Sequence, residues 1–131
     1  MSEALETQTF RVTRADLIRY CGASGDFNVI HWSERLATQV GLPGVIAHGM
    51  YTMALVGRAV TKWAGAPDAV VDFSVRFSRP VPVPDTDEGT EVVVDGVVKE
   101  VTDDGLTRIG LTATCHGEKV LSMATATIRK R

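Results

Sequence analysis

With 131 residues, 44% of them apolar and 23% charged, the chain has the length and composition of one globular domain that needs no disulfide or metal to keep a core. A formal net charge of −2 and a pI of about 5.9 argue against a nucleic-acid binder, because no basic stripe is available to displace counterions from phosphates. The acidic opening MSEALETQTF lacks the apolar core of a signal peptide, and no apolar run approaches a membrane span, so a cytoplasmic protein that does not engage membranes is expected.

In chain order, Thr9 to Val12 reads as a short strand, and Thr13 then caps a helix from about Arg14 to Gly22. The spacing of Leu17, Ile18 and Cys21 predicts a buried face on that helix. Residues 23–28, ASGDFN, carry turn chemistry; Ser33 caps a second helix over 34–40, which ends at Gly41. A loop over 41–49 opens a longer helix from about Gly49 to Ala64, apolar nearly all round and therefore surrounded on most sides by other structure. Val71, Phe73, Val75 and Phe77 alternate with polar residues as in a half-buried strand. Pro80, Pro82 and Pro84 carry an extended loop, and strands follow over 91–101, 107–115 and 120–128, the first two joined by the turn Thr102-Asp103-Asp104-Gly105. Helical segments followed by a four-strand antiparallel meander indicate an α+β domain occupying residues 1–131. Cys21 and Cys115 lack metal-type spacing and read as small buried hydrophobes, His116 as a surface residue, and Arg129-Lys130-Arg131 as a solvated tail.

Chemistry concentrates in two places. Asp26, Asn28 and His31 put a carboxylate, an amide and an imidazole within six residues, in a loop held at both ends by helices. Asp and His suit proton transfer near neutral pH, and Asn can hold one of them without adding charge. An Asp and Asn capping the helix, with a His packed beside Trp32, is the alternative. The second place is Ala47-His48-Gly49-Met50. Gly49 stands in the first turn of the apolar helix, where main-chain N–H groups are unpaired and a carbonyl oxygen can approach closely. A glycine needed only for packing, beside a structural His48, is the alternative there.

The run Tyr20-x-x-x-Ser24-Gly25-Asp26-x-Asn28-x-Ile30-His31, followed by Ile46-Ala47-His48-Gly49-Met50, resembles the MaoC-type (R)-specific enoyl-thioester hydratases and dehydratases. Within that family the likeness points to the small catalytic subunit of the mycobacterial 3-hydroxyacyl dehydratases, and Val29 stands where many members have proline. The resemblance implies a single hotdog fold, a curved antiparallel sheet wrapped around the long apolar helix over about 49–64. It implies reversible hydration of trans-2-enoyl thioesters and dehydration of (R)-3-hydroxyacyl thioesters. Asp26 and His31 would be catalytic, Asn28 and Ser24 supporting, Tyr20 and His48 structural, and the Gly49 N–H the oxyanion donor. No cofactor and no metal is expected. The expected partners are an acyl-CoA or acyl-carrier-protein thioester and a second hotdog subunit, in a homodimer or a heterodimer. For an acidic carrier, Arg14, Arg19, Arg58, Lys62, Arg76 and Arg79 are the basic candidates. A hotdog thioesterase is disfavoured, since such enzymes usually place an acid on the central helix and 49–64 has none. A non-catalytic partner subunit is disfavoured by the Asp/His pair itself.

Overall fold

Thr13 closes a capping box with Asp16, each side chain bonding the other residue's main-chain N–H, and launches α1 (Arg14–Ser24) in the computed structural model, which describes residues 3–129. The helix stops at Gly25, whose φ of 79° lets the chain turn sharply while its N–H closes on the Cys21 carbonyl. A single 3-10 turn (Val29–His31) and α2 (Glu34–Gln39) follow, the latter capped by Ser33 as expected. The third helix, α3 (Gly49–Ala64), has the predicted bounds. Lys130 and Arg131 of the expected basic tail lie outside the described residues. Among the described residues no helix is long and apolar enough to cross a membrane.

The strands are β1 (Glu3–Ala4), β2 (Gln8–Val12), β3 (Val70–Phe77), β4 (Thr90–Val101), β5 (Leu106–Cys115), β6 (Glu118–Lys119) and β7 (Leu121–Arg129). They form one seven-stranded antiparallel sheet in the order β1-β4-β5-β7-β3, with β2 continuing the β1 edge along β4 and β6 joining β5. The expected meander holds only for β4, β5 and β7. Strand β3 lies at the opposite edge, beside β7, because the proline-rich segment after it cannot fold into a tight hairpin and carries the chain across to β4.

Leu55, Val56, Ala59 and Val60 of α3 are buried with Val92, Val94, Ile109, Leu111, Ala113, Ala126 and Ile128 of the sheet. The helix is not covered on every side: Met50, Ala54, Arg58 and Lys62, spaced four apart along one line, stay exposed. Two other burial expectations are corrected. Leu17 and Cys21 are buried, but Ile18 is 55% exposed, since it follows Leu17 by 100° and rotates out of the core. On β3, Phe73 and Val75 are partly buried whereas Val71 and Phe77 are exposed. Register shifts between Val70 and Asp72 and between Ser74 and Arg76 break the alternation that an unbroken strand would keep. Cys21 and Cys115 are buried free thiols and His116 is exposed.

Candidate active site

The turn after α1 is knitted by short-range hydrogen bonds. Ser24 Oγ accepts from the Asp26 N–H at 3.1 Å and donates to the Tyr20 carbonyl at 2.7 Å. One carboxylate oxygen of Asp26 accepts the Asn28 N–H at 3.1 Å, an Asx turn that leaves the other oxygen for a ligand in this exposed loop. The sequence predicts that the Asn28 side chain holds one of the Asp/His pair. Its main-chain N–H holds Asp26 instead, while its Oδ1 accepts from Ile30 N–H at 3.3 Å and caps the 3-10 turn that carries His31. Trp32 lies exposed with Nε1 donating to the Phe27 carbonyl at 2.8 Å, and the ring stacked on His31 is that of His48.

His31 is 7% exposed, and its Nδ1 lies 2.8 Å from the Ile46 carbonyl. A carbonyl only accepts, so Nδ1 carries a proton, and in the neutral ring the lone pair is then on Nε2. The Ile46 segment is itself pinned on both sides. Ile46 N–H donates to the Ile30 carbonyl, Ala47 N–H to the Val81 carbonyl, and Val83 N–H to the Val45 carbonyl. The stretch Pro80–Pro84, an extended loop by expectation, therefore works as a strap zipped to residues 45–47. Val81 and Val83 point into the core, and the intervening Pro82, which has no N–H to donate, sits opposite Ile46 at a position that needs none. Glu34 adds a tie, its Oε1 accepting from Val45 N–H at 2.9 Å and from Arg14 Nη2 at 3.0 Å.

His48, 1% exposed, caps the N-terminus of α3 with its backbone and makes no side-chain cap bond. Its ring stacks on His31 with centroids 3.8 Å apart and planes 21° from parallel, and meets the edge of Tyr20 at 4.7 Å. Burial pushes the His48 imidazole below its ordinary value, with nearby His31 acting in the same direction and a bond to the Asp26 carbonyl opposing. Burial and the Asp26 charge push the Cys21 thiol up, so this cysteine stays protonated and inert. For His48 the unfolded chain binds the proton more readily than the folded one. Its contribution to stability is thus complete above the unfolded value near 6.5 and is lost as pH falls below it. Urea midpoints measured from pH 7 down to pH 5 are expected to fall, with a shallower slope in His48→Phe.

His31 and Gly49 line a common cavity of about 380 Å³ whose walls include Ile30, Ile46, Phe77 and Val81. Gly49 is a close-approach position, since a Cβ there would come 3.2 Å from the ring of Phe77. Phe77 was expected on the inner face of a regular strand. It lies instead over Gly49, half exposed and part of the cavity wall, because the β3 bulge re-aims it. Arg79 lines the same cavity and pairs with Glu118 at 3.3 Å. Of the other basic candidates, Arg14 ties Glu34, Arg19 pairs with Asp16, and Arg58 sits over the Phe10 ring.

Asp26, His31 and His48 each bring one potential ligand atom within 4.8 Å of the others, a trio that linear spacing did not suggest. It is a poor metal site. Imidazoles bind metals along in-plane lone pairs, and two nearly parallel stacked rings direct theirs side by side rather than at one point. What converges instead is a carboxylate and an imidazole beside a cavity that a helix N-terminus also lines, the components of water activation and oxyanion binding.

Comparison with known proteins bears on the fold and the family. The MaoC-like domain model matches residues 1–114. A 3-hydroxyacyl-thioester dehydratase X of Mycobacterium tuberculosis is 46% identical over 76 residues, 58% of this chain and 26% of its own length. A 3-hydroxybutyryl-CoA dehydratase of Methylorubrum extorquens is 29% identical over 84% of this chain and 68% of its own. A solved MaoC-like dehydratase superposes with a TM-score of 0.95 at 37% identity, over 99% of this chain and 40% of the other. This chain thus spans about a quarter of the first of these relatives and two fifths of the solved structure. The (R)-hydratase from A. caviae, with a TM-score of 0.82 at 19% identity, shares the fold. The sheet wrapped on α3 is the hotdog fold, and the chain belongs to the MaoC-like dehydratase family.

Proposed function

We propose that this chain is a hydro-lyase that hydrates trans-2-enoyl thioesters and dehydrates (R)-3-hydroxyacyl thioesters. The observation that carries the reading is the placing of an Asp26 oxygen and a His31 nitrogen within 4.8 Å of each other, with His31 lining the cavity that Gly49 also lines. Two hydrogen bonds of ~2.8 Å meeting at one water oxygen span about 4.6 Å, so groups this close can both reach a single water. The names of the dehydratase relatives support an acyl thioester as the substrate, bound with its carbonyl oxygen on the Gly49 N–H.

In hydration, Asp26 and the lone pair on His31 Nε2 bind the water and take up its proton as the oxygen attacks C3. Electron density moves to the thioester oxygen, where the Gly49 N–H and the positive end of α3 stabilise it. The proton returns to C2 on the same face, completing addition of one water across the double bond. Dehydration is the reverse. The apolar wall formed by Ile30, Ile46, Val81, Val120 and Leu121 takes the acyl group. Addition of the chain to crotonyl-CoA should bleach the enoyl-thioester absorbance and yield the (R) product; an (S) product, or release of free thiol, would overturn this reading.

The functional unit contains a second hotdog subunit, preferably a copy of this chain. Among the described residues, strand β3 ends the sheet with one side unpaired; it carries exposed Val71 and Phe77, and has no proline or lysine to deter strand addition. Mass measurement in solution should give twice the chain mass. A monomer for which co-purification finds no second hotdog chain would contradict it.

A further inference from the structure

We propose that His48 is a positioning residue that locks the Asp26 loop, the His31 ring and the N-terminus of α3 into one rigid unit. The inference rests on the reading of Asp26 and His31 as the catalytic pair. His48 Nε2 lies 3.2 Å from the Asp26 carbonyl oxygen, which can only accept, so Nε2 carries a proton, and burial together with an Nδ1 that has no acceptor among the described residues favours the neutral ring. Its face covers His31 at 3.8 Å, and its own main chain begins α3 immediately before Gly49. One side chain therefore touches both members of the pair and stands one residue from the oxyanion donor.

Stability alone does not account for a histidine here. With Nε2 committed as donor, the buried Nδ1 has no partner among the described residues, and an orphaned buried acceptor is a cost that an apolar ring would avoid. The groups that face it are Tyr20 and Cys21 from α1, the Cys21 sulfur lying 3.5 Å from Nε2, together with Asp26 from the loop and His31 from the 3-10 turn. None of these replaces the bond to the Asp26 carbonyl. A neutral ring stacked on His31 has a further merit: it offers a π face to the imidazolium that forms when His31 takes a proton, where a charged ring would repel it.

Two variants separate the parts. His48→Phe keeps a ring and loses the donor; His48→Gln keeps a donor at similar reach and loses the ring. With enoyl-CoA as substrate, His48→Phe should lower kcat at least about tenfold while KM moves less than about threefold, and it should melt no lower than the wild type. His48→Gln should recover a substantial part of that kcat, although it is the worse fit to an apolar pocket. Wild-type kcat in His48→Phe, or losses in both variants that track their melting temperatures, would overturn the proposal. Asp26→Asn run alongside distinguishes the two failures. If it is inactive while His48→Phe is fully active, only the positioning role falls; if it is fully active, the catalytic pair falls and the positioning role with it.

Discussion

Asp26→Asn is expected to remove roughly 10²–10⁴ of kcat on an enoyl-thioester substrate, the range associated with a positioned acid or base. The carboxylate is exposed, and the Asn28 N–H that it accepts is one the amide oxygen of asparagine can still accept. The turn should therefore survive, and the melting temperature should stay where it was. His31→Ala should cost the same order of activity by a different route. It removes Nε2 and also leaves the Ile46 carbonyl without its donor, so a further loss of about 1–3 kcal/mol of stability is expected. Activity and chemical denaturation measured on both variants separate chemistry from folding. Near-normal turnover in both would exclude the mechanism.

The second large effect is expected at Gly49. A Cβ there meets Phe77 Cε1 and Cζ at 3.2 Å, so Gly49→Ala forces the half-exposed ring to give by a few tenths of an ångström, and Gly49→Val forces more. The added branch also stands in front of the main-chain N–H that is to meet the thioester oxygen. A misplacement on the ångström scale costs on the order of a hundredfold in rate, and Gly49→Val should lose that much in kcat/KM. Gly49→Ala combined with Phe77→Ala should regain part of what Gly49→Ala loses, because the ring is one of the two obstructions. No recovery in the double variant would place the whole effect at the N–H itself.

Much of this architecture was legible in the chain. The bounds of α3, the caps at Thr13 and Ser33, and the alternation of Ile109, Leu111, Ala113 and Cys115 are local signals, written within a few residues. So was the Asp26–His31 cluster, since both residues fall within one six-residue segment. What could not be read depends on partners far away in sequence. The place of β3 at the edge beside β7 is set by a crossover, not by its own alternation, and its bulges arise from pairing with β7. The strap function of Val81 and Val83 needs residues 45–47 opposite them, and the wall formed by Phe77 needs Gly49. His48 reads as structural from spacing; only its stack on His31 and its bond to Asp26 give it a place in the site.

The orientation of His31 is fixed by the carbonyl of Ile46, while the side chain of the same residue lines the cavity. A carbonyl is common to all residue types, so the group that sets the tautomer is indifferent to what residue 46 is. The same holds, proline apart, for the main-chain links from Val45 and Ala47 to Val81 and Val83. Selection can therefore enlarge, narrow or bend the acyl pocket through the side chains at 30, 46 and 81 without moving the proton-transfer groups. That separation between a backbone that holds the chemistry and side chains that choose the cargo is what allows one small scaffold to diversify.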